Sequence, residues 1–360
     1  MRTSSIVRSV LLATALTGCS LEGAAPTAPD AGSGPYTDLP ERQFTVSGVV
    51  YDPEVFFLSL ATFPAEDPDD APPPALFAGI PYLTRSAAIG ASVSIMNGQA
   101  SASASAPSAG NGTWQVRGVP AGEIPYVLRA VPPAEGLVMG APDIFPPEIF
   151  GPIPEAKYHP TTTLNPVMAP GSVCHAQVAA VVGEAGALSA VAQLMTDMGT
   201  PTTPADLLDP SKTGGVALVW VYSPSPAFNF FDIPAPGIAA ETDKGTLYAI
   251  DWAPPELGIP GQSPLGYMAI PDSVGPMGYF ALVLPPGSSG PVTLRFNDTV
   301  TTPEGEDPGP SGPRPFLIPP FVTEVPSGVS FARLHAMGEA PPEDPLADPV
   351  PPPDFSWMCL

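Results

Sequence analysis

The chain has 360 residues, 55 of them proline and 35 glycine, with 44% hydrophobic and only 13% charged residues. Proline at that density argues against long helices and interior strands, but the hydrophobic share is enough for a buried core, so a wholly disordered tract is excluded. The formal charge of −23 would repel a phosphate backbone, which sets nucleic acid aside as a partner; a cation, a basic protein and plain solubility remain as its uses.

The chain opens with Arg2 and Arg8 and no acid, then the apolar run Val10-Leu11-Leu12-Ala13-Thr14-Ala15-Leu16. A spanning helix needs roughly 20 apolar residues, so this shorter run suits a signal peptide. It ends in Leu16-Thr17-Gly18-Cys19, which resembles the lipobox of bacterial lipoproteins at all four positions. The resemblance implies diacylglycerol on the Cys19 sulfur, removal of residues 1–18, and a mature chain held on a membrane by acyl chains such as palmitate. Each buried CH₂ of such a chain adds about 0.8 kcal/mol. The non-acidic Ser20 implies, by the same resemblance, the outer membrane of a Gram-negative bacterium. An ordinary signal peptide with a chance cysteine is the alternative.

Residues 19–43 are rich in Ala, Pro, Gly and Ser and read as a tether, extending to roughly 60–70 Å at about 3 Å per residue. From Phe44 to Tyr51 the chain alternates as a half-buried strand does. The segment 53–88 then intervenes as a long insertion, with apolar Val55-Phe56-Phe57-Leu58 and acidic Asp67-Pro68-Asp69-Asp70; a loop that long is either functional or disordered. Strand signals resume at Ser92-Val93-Ser94-Ile95-Met96 and, weakly, at residues 100–106. Asn111-Gly112 predicts a hairpin turn, Thr113 to Val119 a strand, Pro120-Ala121-Gly122 a turn, and Tyr126 to Val131 a closing strand.

The order Val46-Ser47-Gly48-Val49-Val50, Gly90-Ala91-Ser92-Val93, Gly112-Thr113-Trp114-Gln115-Val116, Val119-Pro120-Ala121-Gly122, Tyr126-Val127-Leu128 is similar to the carboxypeptidase regulatory-like domain. That family implies a transthyretin-like β-sandwich over 44–133, without catalytic residues, serving in folding, spacing or binding. The long insertion after the first strand departs from its pattern.

Residues 134–172 read as a Pro-rich connector. In 173–198 proline is absent, alanine is frequent, and Leu188, Val191, Leu194, Met195 and Met198 fall at helical spacing, which predicts a helix broken near Gly183 and Gly186. The continuous apolar run Val216 to Tyr222 predicts a central strand. Further strands are expected at 246–252, 265–270, 278–284, 292–296 and 329–335. Gly278 to Phe296 repeats the order of residues 112–131: glycine, aromatic strand, Pro-x-Gly turn, strand with one arginine. The expectation is a mainly β chain of two β-sandwich modules, 44–133 and 173–337, with one helix at the start of the second and an acidic, Pro-rich tail at 338–360.

Signatures of chemistry are sparse. The sequence has no Gly-x-Ser-x-Gly elbow, no His-Glu-x-x-His and no Cys-x-x-Cys, and Gly287-Ser288-Ser289-Gly290 reads as a hairpin turn. His159, His175 and His335 lack ligand spacing. Asp67, Asp69 and Asp70, and also Glu304, Glu306 and Asp307, are weak calcium candidates because calcium wants six to eight oxygens; a solvated loop is the plainer account. With Cys19 lipidated, Cys174 and Cys359 form an even pair that could close one disulfide in an oxidising compartment, the alternative being two separate thiols. Phe228-Asn229-Phe230-Phe231 is a sugar or protein contact or a plug over the core. No cofactor is implied. The sequence therefore reads as a non-catalytic envelope lipoprotein for binding, adhesion or structure, whose partners are the membrane, through its lipid, and an unidentified protein or carbohydrate. The alternative is a hydrolase acting on envelope or extracellular polysaccharide from a site between the modules.

Overall fold

The computed structural model describes residues 43–62, 85–96, 102–107, 110, 112–120, 126–140, 152–167, 174–224, 233–306 and 312–338. Cys19, the tether, Asp67, Asp69, Asp70, Phe228 to Phe231, Asp307 and Cys359 lie outside them.

In chain order the elements are β1 (Gln43–Tyr51), α1 (Pro53–Thr62), β2 (Ala88–Ile89), β3 (Ser92–Met96), β4 (Ala102–Pro107), β5 (Thr113–Pro120), β6 (Tyr126–Val131), β7 (Val138–Met139), β8 (Tyr158–His159), β9 (Thr161–Val167), β10 (Cys174–Ala180) and β11 (Val182–Gly183). A π-turn (Glu184–Leu188) runs into α2 (Ser189–Asp197), followed by α3 (Pro204–Leu208). The strands resume with β12 (Gly215–Tyr222), β13 (Ile238–Thr242), β14 (Thr246–Trp252), β15 (Tyr267–Ile270), β16 (Val274–Gly275), β17 (Tyr279–Leu284), β18 (Val292–Asp298), β19 (Phe321–Thr323) and β20 (Val329–His335). The chain is mainly β, as its sequence predicts, and no helix of the described residues is long and apolar enough to cross a membrane.

One nine-stranded sheet runs β15-β14-β17-β12-β20-β9-β6-β3-β4. At one end it faces the three-stranded sheet β10-β1-β5, where Val46, Val50, Trp114, Val116 and Ala179 meet Val93, Ile95, Leu128 and Ala130. At the other end it faces the four-stranded sheet β16-β13-β18-β19 across Ile238, Ala240, Phe280, Val292 and Leu294. Strands from 44–133 and from 173–337 thus share one sheet. The expected connector supplies the join, because β9 pairs antiparallel with β6 and parallel with β20. All described residues belong to one compact unit, Gln43–Leu360.

β12 is buried along its whole length. Its Val216, Leu218, Trp220 and Tyr222 face the largest core, while Ala217, Val219 and Val221 face the four-stranded sheet. Burial on both faces is what an uninterrupted apolar strand signals. β1 departs from the half-buried expectation for the same reason: Val46 and Val50 face the sandwich, whereas Val49 and Tyr51 join the large core.

Two local expectations are corrected. Residues 174–180 form a strand rather than the first part of a helix, because β10 finds a parallel partner in β1 from Thr45↔Cys174 to Tyr51↔Ala180; the helical stretch begins only at Glu184. The turns at Gly112 and Gly287 do not close hairpins within one sheet. β4 and β5 lie in facing sheets, as do β17 and β18, so both turns carry the chain across a sandwich. Gly112 stands at φ 78°, and a Cβ there would meet Ala87 Cβ at 2.7 Å, so this crossing needs glycine.

A buried carboxyl pair at the candidate functional site

Asp52-Pro53-Glu54 is a helix start: a capping acid, proline at the first helical position, and an acid in the first turn. Reading the segment as an insertion passes over that signal. The structure makes it α1, a short helix apolar on nearly every side and therefore buried. Asp52 Oδ1 accepts the backbone N–H groups of Glu54 (2.8 Å) and Val55 (3.2 Å). Val55, Phe56 and Leu58 are buried, and Phe57 sits among Trp220, Trp252 and Tyr267 at ring separations of 5.5, 5.4 and 6.4 Å. Trp220 stacks on Tyr279 at 4.1 Å.

Both carboxyls are inside: Asp52 and Glu54 are each 0% exposed. Tyr158 donates to Asp52 Oδ2 at 3.0 Å. Glu54 Oε1 accepts Tyr279 O–H at 2.8 Å and the Ala187 N–H of the π-turn at 2.7 Å, and the Glu54 carbonyl accepts Tyr267 O–H at 3.0 Å. Glu54 Oε2 has no hydrogen-bond partner among the described residues. It rests against Gly186, where any side chain would collide with it. The pair therefore ties α1 to β8, β17 and the π-turn, and the Glu54 backbone carbonyl adds β15.

Burial pushes the Asp52 carboxyl up to about 6, against the pull of the Val55, Glu54 and Tyr158 donors. It pushes Glu54 up to about 8, helped by the Asp52 charge and opposed by Ala187 N–H and Tyr279 O–H. The phenols of Tyr158, Tyr267 and Tyr279 are raised by burial first and by the neighbouring carboxyls next. Burial thus favours the neutral acid at Glu54. Holding a proton at pH 7 on a carboxyl whose ordinary value is 4.5 costs about 3 kcal/mol. Burying Val55, Phe56 and Leu58 returns about 1.5–3 kcal/mol each, which offsets that cost.

The other sequence-level site residues are not gathered here. His159 Nε2 contacts Glu184 Oε1 at 2.7 Å, with Lys157 Nζ at 3.6 Å from the same oxygen. His335 lies 5.6 Å from the Tyr222 ring, and His175 is placed in β10 opposite Val46. Among the described residues no three His, Cys, Asp or Glu side chains are grouped to hold a metal. Glu304 and Glu306 are exposed after β18. Cys174 opens β10, while its expected partner Cys359 lies outside the described residues.

No family model matches the chain, and no curated protein matches it. Among solved structures, it is similar to the shaft pilin SpaA of Lactobacillus rhamnosus GG at 10% identity and TM-score 0.20, over 83% of this chain and 100% of that one. It is similar to the Bacillus anthracis TIE protein at 10% identity and TM-score 0.19, over 82% of this chain and 34% of that one, so it spans about a third of that protein. A streptococcal ancillary pilin matches at 11% identity and TM-score 0.16, over 84% of this chain and 63% of that one. At such TM-scores the likeness carries no argument about this chain.

Proposed function

We propose that the chain is a non-catalytic lipoprotein of the cell envelope, anchored through Cys19 in the outer membrane of a Gram-negative bacterium, whose β-rich body acts as a binding, adhesion or structural module. The address rests on Leu16-Thr17-Gly18-Cys19 behind Arg2, Arg8 and a short apolar run. The resemblance of 44–133 to the carboxypeptidase regulatory-like domain adds a module type that serves in spacing or binding. The observation that carries the non-catalytic reading is that Asp52 and Glu54, carboxyls shifted into the range of acid–base chemistry, are each 0% exposed and spend their hydrogen bonds on fastening α1. A hydrolase needs its acid and base within reach of a substrate proton, and these two reach only the chain itself.

Expression of the full-length chain in a Gram-negative host fed a clickable palmitate analogue tests the address. The expected result is an acylated mature chain beginning at Cys19 in the membrane fraction, and an unlabelled Cys19→Ala variant. Recovery of the wild-type chain in the cytosol with residues 1–18 intact would refute it. Incubation of the purified protein with cell-wall and capsular polysaccharide tests the rest. Release of soluble fragments that Glu54→Gln and Asp52→Asn both abolish would overturn the non-catalytic reading.

A further inference from the structure

Glu54 is held unlike any other acid among the described residues. It lies in a closed core where five separate pieces of chain converge: α1 itself, β15 and β17 of the long sheet, β8, and the π-turn. The titratable groups facing it are Asp52 at the head of α1, Tyr158 from β8, Tyr267 from β15, and Tyr279 from β17 with Tyr222 of β12 behind it. Glu184 of the π-turn is engaged by His159 and Lys157. Arg85 precedes Ser86, whose carbonyl takes the Asp52 N–H. The donors on Glu54 reach only Oε1, and Oε2 is pressed against Gly186. A neutral acid is cheaper in such a place than a carboxylate, whose charge would sit unsolvated beside a second acid.

We propose that α1 is a proton-held latch: only as a neutral acid is the Glu54 carboxyl cheap to bury between α1, the Ala187 amide and the Tyr279 hydroxyl, and its ionisation, a charge that this closed core cannot solvate, frees the helix from the π-turn and β17. Nothing else is exchanged; one proton leaves the acid and a solvated carboxylate remains.

The sign follows from linkage. Glu54 binds its proton more tightly in the closed state than in the open one, so the stability that it lends is fully present below 4.5 and is lost as pH rises through about 8. Asp52 acts in the same sense, but its contribution is spent by about 6. Between pH 6 and 8 the pair gives up about one proton on opening, which raises the opening constant about tenfold per pH unit.

The test is hydrogen exchange at the Ala187 amide in the full mature protein in detergent, with opening constants corrected for intrinsic exchange, at pH 5 to 9. The expected result is an opening constant that climbs about a hundredfold from pH 6 to 8, while Glu54→Gln, which keeps the shape of the neutral acid, is flat over the same interval. A wild-type profile that is flat, or a Glu54→Gln profile as steep as wild type, overturns the latch. A second measurement stands if that variant fails to fold. In the wild-type protein the ¹³C-carboxyl shift or infrared carbonyl stretch of Glu54 should report a protonated acid at pH 7, and Asp52→Asn, by removing the charge that holds the proton on, should move its loss to lower pH. An ionised Glu54 at pH 7 also overturns the proposal.

Discussion

Replacing Gly186 by alanine is the sharpest probe of how tightly α1 is held. A Cβ at that position would overlap Glu54 Oε2 and Cδ and stand 2.6 Å from Oε1, so the methyl and the carboxyl cannot share the space. If the carboxyl yields, the Ala187 N–H and the Tyr279 O–H lose their acceptor inside the core. Leaving a buried donor unpaired costs about 1–3 kcal/mol, so Gly186→Ala should destabilise by about 2–6 kcal/mol, a large fraction of the about 5–15 kcal/mol of a typical domain. Glu54→Ala alone strands the same two donors and opens a void. In the double variant the new methyl enters that void, so the combined cost should fall short of the sum by at least about 1 kcal/mol. Urea unfolding followed by tryptophan fluorescence reads the cycle, since Trp220 and Trp252 lie 5.5 and 5.4 Å from Phe57 on α1. A Gly186→Ala midpoint within about 0.5 kcal/mol of the parent, or strictly additive effects, would show that Glu54 is not packed against that turn.

Tyr279→Phe removes a hydroxyl that pulls the Glu54 acidity back toward normal; it should cost about 1 kcal/mol and carry the pH-dependent loss of stability to a still higher pH, read by unfolding midpoints from pH 6 to 9. Arg314 forks onto the buried Asp298 through Nε to Oδ2 (2.8 Å) and Nη2 to Oδ1 (2.5 Å), and it also holds the Pro236 carbonyl. Arg314→Lys keeps the charge and loses the fork, so denaturation should show a loss of about 1–3 kcal/mol. Thr203 caps α3 in a reciprocal box with Asp206; Thr203→Ala should lower stability by about 1 kcal/mol in a thermal melt.

Several elements were legible in the sequence because one local rule decided them. Residues 216–222, 246–252 and 329–335 carry apolar patterns that a strand satisfies, and β12, β14 and β20 occupy those positions. The failures have one physical origin, which is that the deciding partner lies far along the chain. Residues 174–180 have a helical composition, yet β1 offers them a parallel ladder from the other end of the chain's first half, pairing Thr45 with Cys174, and tertiary pairing overrides propensity. A glycine at 112 or 287 fixes a turn but not the sheet that receives the next strand. The start of α1 was present as Asp52-Pro53-Glu54, whereas the burial of its acids was not, since Ala187 and Tyr279 stand 133 and 225 positions from Glu54.

That distance has a consequence for synthesis. Drawing together the ends of a stretch of 225 residues is entropically costly, by about 5 kcal/mol on a flexible-chain estimate, and contacts so remote form late. A nascent or truncated polypeptide that stops short of residue 279 lacks β17, part of the core that buries Glu54, so nothing there draws its two acids out of water and the stretch from 52 to 62 stays solvated. Such a product is expected to be loose and charged in this stretch, and only a chain that has passed β17 can draw those acids inside.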